Sequence, residues 1–90
     1  MIREYEPRDV KVKAILVTSN NLEFVEKWCH GKIGGIKLPR HERVIKFWNK
    51  LHGYELEVRP YEYLCLGEHE GDFYPCNREV FEKKYKVCDL

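Results

Sequence analysis

Cys65, His69 and Cys76 are the residues whose types could hold a metal ion, in the spacing Cys-x3-His-x6-Cys around a turn. A structural zinc site needs four ligands, usually in paired short spacings such as Cys-x2-Cys, and the chain contains no such pair. Cys65 shares a strand face with Tyr63, which favours a packed thiol over a ligand. No metal and no cofactor are expected. Cys29 and His30 could suggest a thiol nucleophile with its base. Adjacent residues on a helix diverge, whereas such dyads are assembled by the fold, so the expectation is Cys29 inward and His30 at a helix C-terminus. Glu68, Glu70 and Asp72 crowd a glycine-flanked turn, where carboxylates are normally solvated. No catalytic residues are assigned, and an enzyme is not expected.

The strongest electrostatic signal is a basic span. From Lys27 to Gly53 seven Lys or Arg face the single acid Glu42, whereas from Tyr54 to Asp72 six acids face Arg59 alone. Arg40, His41, Arg43, Lys46, Lys50 and His52 lie close to Phe47 and Trp48, a mixture suited to phosphate contact with base stacking. A nucleic-acid or nucleotide-binding segment over 37–50 is therefore one reading. The other pairs the two blocks: across a hairpin, Arg43 and Lys46 would face Glu55 and Glu57 and the charges would cancel. The pairing is favoured, with Arg40, Arg43, Lys46, Trp48 and Lys50 kept as candidate partner- or anion-binding residues.

Those residues must be positioned by a small scaffold. Ninety residues make one domain, 1–90, and bury only about two-thirds of the unfolded surface. At 43% hydrophobic and 34% charged residues, the chain is neither disordered nor membrane-spanning. The opening Met1-Ile2-Arg3-Glu4-Tyr5-Glu6-Pro7 lacks an apolar leader region, so export is not expected and a cytoplasmic location is. There Cys29, Cys65, Cys76 and Cys88 are expected as free thiols.

Val10, Val12, Ala14 and Leu16 fall on one face of a strand over 8–18, with Ile15 and Val17 making its far end apolar on both faces. Thr18-Ser19-Asn20-Asn21 supplies capping side chains for a helix of about two turns that carries Leu22, Val25 and Cys29 and ends near Gly31. Gly34 to Pro39 reads as a short extended piece, Glu42 to Trp48 as a strand, and Tyr54 to Val58 as its hairpin partner. Tyr61 to Leu66 alternates again. After the acidic turn Gly67–Gly71, Phe73 and Tyr74 restart extended chain, Pro75 stops it, and Asn77 opens a short helical turn with Val80 and Phe81 before a last strand at Tyr85-Lys86-Val87. The sum is an α+β domain: a small antiparallel sheet of about five or six strands, one main helix packed on one face, and a short C-terminal helical turn. A sheet covered on one face only leaves the other, or an edge, to a second copy or another protein, so a homo-oligomer is expected.

Gly71-Asp72-Phe73-Tyr74-Pro75-Cys76, followed by Phe81-Glu82 and Tyr85, resembles the PGDYG-like family of short phage and prophage proteins. In that family a strand carrying Pro-Gly-Asp leads to Gly-Glu-Phe-Tyr-Pro-Cys, a short helix with Phe-Glu and a closing Tyr. The capped helix Asn21 to Cys29 is similar too. Gly71, Phe73, Tyr74, Pro75, Cys76, Phe81 and Tyr85 would form the shared structural motif. The chain departs from the pattern at Pro60-Tyr61-Glu62, where the family glycine is Tyr61. The resemblance implies a viral origin and no particular reaction. The leading expectation is a small interaction protein that binds a bacterial host or defence protein, with a minor virion component as a further reading.

Overall fold

The computed structural model describes residues 2–6 and 12–87, arranged as two antiparallel sheets with two helices. The larger sheet has the order β7-β6-β2-β1-β8, built from β1 (Arg3–Glu6), β2 (Val12–Leu16), β6 (Tyr63–Leu66), β7 (Phe73–Cys76) and β8 (Lys86–Val87). The smaller has the order β3-β4-β5, from β3 (Lys32–Gly34), β4 (Val44–Asn49) and β5 (Tyr54–Val58). The α+β class and the β4–β5 hairpin are as read from the sequence. The hairpin, however, belongs to a sheet of its own, because alternation assigns faces to a strand and not neighbours.

β2 carries apolar residues on both faces because both are covered. Ile15 and Val17 join Leu64 and Phe73 in one core, which the smaller sheet closes with Ile45, Phe47 and Val58 and helix α1 (Leu22–Cys29) closes with Leu22, Val25 and Cys29. On the opposite face Val12, Ala14, Tyr63 and Cys65 pack against Phe81 of α2 (Arg78–Lys84). The second face of the larger sheet is thus occupied by the chain's own α2, whereas the outer face of the smaller sheet, with Lys32, Lys46, Trp48, Glu55 and Glu57, stays exposed. Residues 8–11 of the expected long strand, and Cys88, lie outside the described residues.

Three local expectations are corrected. Pro75 does not stop the chain but sits within β7 opposite Leu64; β7 is the edge of its sheet, where a missing N–H is tolerated. The extended piece precedes Gly34–Pro39: β3 covers Lys32–Gly34, Gly35 turns at φ 74°, and Leu38 N–H closes the turn on the Gly35 carbonyl at 2.8 Å. Glu42 falls in a short 3-10 turn, Arg40–Glu42, so that β4 begins at Val44.

Asn21 begins α1 without bonding its first amides; instead its side chain accepts from Thr18 N–H at 2.8 Å and donates to the Leu16 carbonyl at 2.9 Å, fixing the turn from β2. The left-handed residue at the C-terminus of α1 is His30 (φ 55°), and Gly31 is needed for a different reason: a Cβ there would collide with the Lys46 carbonyl. α2 is better capped. Asn77 Oδ1 accepts from the amides of Glu79 and Val80 at 2.9 and 3.3 Å.

Tyr61 has φ 69°, a backbone geometry that suits glycine and is uncommon for a bulky residue. It is held there because Tyr61 N–H donates to the Val17 carbonyl at 2.6 Å and Val17 N–H to the Glu62 carbonyl at 2.9 Å. The turn therefore keeps a glycine-type conformation with a tyrosine in it. Tyr61→Gly is expected to leave stability unchanged or raise it by up to about 1 kcal/mol, whereas Tyr61→Val lowers it by about 1–2 kcal/mol. Urea titration of the pair checks this, and a Val variant as stable as the Gly variant contradicts it.

Candidate functional site

The two arginines of the basic span are tied down by their own neighbourhood. Arg40 donates to both carboxylate oxygens of Glu23 at 2.7 and 3.0 Å and to the Ser19 carbonyl at 2.8 Å, clamping the β3–β4 connection onto the start of α1. The guanidinium also holds the Glu23 carboxyl below the usual range, through that hydrogen bond first. Arg43 does not face Glu55. It turns back onto the carbonyls of Ile36 and Leu38, both at 3.0 Å, and stiffens the turn it leaves. Lys46 does stand opposite Glu57, with Lys32 on its other side, and the strand partner of Glu55 is Trp48.

Trp48 is the exception in this set. It lies on the outer face of β4 with 57% of its surface exposed, yet it lines a cleft of about 300 Å³ between the end of α1, the end of β4 and the Gly67–Asp72 loop. Cys29, Leu66 and Phe73 supply apolar lining; His30, Lys50 and Glu70 supply the polar part. Behind it Trp28 meets Phe73 edge-on, with ring centroids 5.1 Å apart, so the apolar wall is continuous with the core. Lys50 Nζ stands 3.8 Å from Glu70 Oε1, too long for a hydrogen bond, with both side chains largely in water. Such a pair contributes little to stability and separates readily.

Asn49 sets the shape of this cleft. It is fully buried, its Nδ2 donates to Asp72 Oδ1 at 3.0 Å and to the Phe73 carbonyl at 2.7 Å, and its Oδ1 accepts from His52 N–H at 2.8 Å. Lys50 N–H adds a bond to the Gly71 carbonyl at 3.1 Å. Gly71 has φ 74°, and the aliphatic stem of Lys50 lies where a Cβ would be, so the loop and the hairpin approach closely only with glycine there. Asn49 is not among the candidate residues read from the sequence. The signal that could have found it is its phase: Ile45, Phe47 and Asn49 alternate inward, and a polar residue at an inward position must bond to something.

A second hollow of about 450 Å³ lies on the other side of Leu66, where Glu4, Lys13, Glu68 and His69 meet water. Among the described residues no group of three or more His, Cys, Asp or Glu side chains is placed to hold a metal ion. Cys65 and Cys76 sit with the Phe81 core, while His69 is exposed in the loop. Cys29, Cys65 and Cys76 are free thiols. Burial pushes the Cys65 thiol up to about 12, with Cys76 adding to the effect and a Tyr74 hydrogen bond opposing it. Burial raises Cys29 as well. Neither is an activated nucleophile.

The structural-motif residues come together around α2. Phe81 stacks between Tyr63 and Tyr85, at 4.0 and 4.7 Å, and Tyr74 and Cys76 pack beside them. Gly71 and Phe73 belong instead to the Trp48 side. Among the described residues no helix is long and apolar enough to cross a membrane. Compared with protein-family models, curated proteins and solved structures, the chain finds no match. The likeness to phage proteins rests on the residues quoted above.

Proposed function

We propose that this chain is a non-enzymatic interaction protein of phage origin that binds a bacterial host or defence protein in the cell's cytoplasm, docking its partner on Trp48 and the adjoining cleft. The single observation that carries the reading is a tryptophan more than half exposed beside an apolar cleft continuous with the core. Trp is the residue type most enriched among energetic centres of interfaces, where it fills or borders a desolvated pocket. The phage origin is carried by the Gly71-to-Tyr85 resemblance.

The nucleic-acid alternative is less well supported, because Arg40 and Arg43 spend their guanidinium groups on Glu23 and on backbone carbonyls. The raised thiols of Cys29 and Cys65 argue against covalent catalysis.

The test is capture from host extract with three baits: the native chain, Trp48→Ser, and Val80→Ser as a control at an exposed apolar residue on α2. A specific host protein is expected with the native and Val80→Ser baits. Trp48→Ser should weaken its binding about 30-fold or more while leaving the thermal midpoint within a few degrees. Equal capture by Trp48→Ser, or no reproducible capture, counts against the proposal.

A further inference from the structure

The groups around the Trp48 cleft specify the chemistry of what enters it. We infer that the cleft takes an arginine side chain of the partner protein, its guanidinium held between the Trp48 indole and the Glu70 carboxylate and its methylene stem lying over the apolar lining. The inference rests on the proposed docking at this cleft and deepens it.

Size comes first. At about 300 Å³ the cleft is at the lower limit for a small-molecule site, which suits one long side chain better than a cofactor. Charge comes next. Glu70 has 92% of its side chain in water and, among the described residues, its ion-pair partner is Lys50 with Nζ at 3.8 Å, so its oxygens have room for planar, two-pronged donation. The C-terminus of α1 reaches the same cleft at Cys29 and His30, bringing the negative end of the helix dipole. Trp48 also has Glu55 as its cross-strand neighbour, a second carboxylate on the same face of the sheet.

An indole bordered by carboxylates attracts a cation with a flat, weakly hydrated face, and among side chains that is guanidinium. Lys50 opposes this. Its stem is anchored against Gly71, but its ammonium is exposed and loosely paired, so a guanidinium that bonds Glu70 in two places displaces it to solvent. Lys46 shares the outer face of β4 with Trp48 but stands opposite Glu57 and outside the cleft lining, so an anionic ligand in the cleft would gain Lys50 and meet Glu70, with Glu55 and the helix end beside it.

The experiment follows the Trp48 indole N–H signal by NMR in the full chain, assigned by its disappearance in Trp48→Phe. The probes are three capped tripeptides, Gly-Arg-Gly, Gly-Lys-Gly and Gly-Glu-Gly. The arginine peptide is expected to shift the signal saturably, the lysine peptide more weakly, and the glutamate peptide not at all. Glu70→Gln should weaken arginine binding about tenfold. Lys50→Met, which keeps the stem over Gly71 and removes the opposing charge, should tighten it. Glu70 and Lys50 are exposed, so neither variant is expected to disturb the fold.

Stronger binding of the glutamate or lysine peptide, weaker arginine binding in Lys50→Met, or no saturable shift with any peptide overturns the inference. Host capture that depends on Trp48 yet ignores Glu70→Gln and is not competed by the arginine peptide overturns it alone, and leaves the docking proposal standing.

Discussion

Phe81→Ala is expected to cost about 3–5 kcal/mol, read as a fall in the urea midpoint with the slope little changed. Phe81 is 1% exposed and provides the surface on which Tyr63 and Tyr85 stack, at 4.0 and 4.7 Å. Removing the ring leaves a cavity that those two rings cannot both fill, since Tyr63 is held through its hydroxyl on Glu82 at 2.9 Å and through its strand. Domains of this size have about 5–15 kcal/mol in total, so the variant would keep only part of its margin. Phe81→Leu, which retains much of the volume, should cost far less. A loss below about 1 kcal/mol for the alanine variant would mean that α2 does not seal the larger sheet.

The second large effect belongs to Asn49. Asn49→Ala removes two donated bonds and one accepted bond at a fully buried position, leaving the Phe73 carbonyl, Asp72 Oδ1 and His52 N–H short of partners. At about 1–3 kcal/mol for a stranded buried group, with some relief by water, a loss of about 2–4 kcal/mol is expected. Asn49→Asp at neutral pH should be worse. It can still accept from His52, but it points a carboxylate at Asp72 Oδ1 and at the Phe73 carbonyl, which have just lost their donor.

The sign of the pH dependence then follows. The introduced carboxyl has a raised folded-state pKa, so its penalty is full well above that value and shrinks as pH falls and it protonates. The gap between Asn49→Asp and Asn49→Ala should therefore narrow on acidification in thermal melts. A constant gap from pH 7 to pH 4 would show that position 49 is open to solvent.

The β4–β5 hairpin was legible because its alternation is clean, and the pairing of Lys46 with Glu57 follows from register alone. Helix α1 was legible from the spacing of Leu22, Val25 and Cys29 and the Asn77 cap from its side chain, whereas the capping expected at the start of α1 is not made by Asn21. What could not be read is tertiary. Nothing in the alternation of Val44 to Val58 says that this hairpin leaves the main sheet, and nothing at Pro75 distinguishes an edge strand from a chain break. Arg43 was assigned to Glu55 because charge counting ignores backbone carbonyls, which in the fold took its guanidinium. Of the cleft, Trp48 and Lys50 were among the candidates. Phe73 was read only as a motif residue, Cys29, Leu66 and Glu70 come from α1, β6 and the loop after it, and only the fold brings them to the same place.

β1 stands between β2 and β8, with Tyr5 opposite Val87, so the larger sheet joins strands from opposite ends of the described chain. Closing so long a loop carries the greatest entropic delay of any pairing here, whereas the β3-β4-β5 meander needs only short-range contacts. The meander is thus the natural nucleus, and the β1–β8 rung the last to assemble. On a ribosome, β1 must wait beside β2 with one edge bare until the final strand emerges.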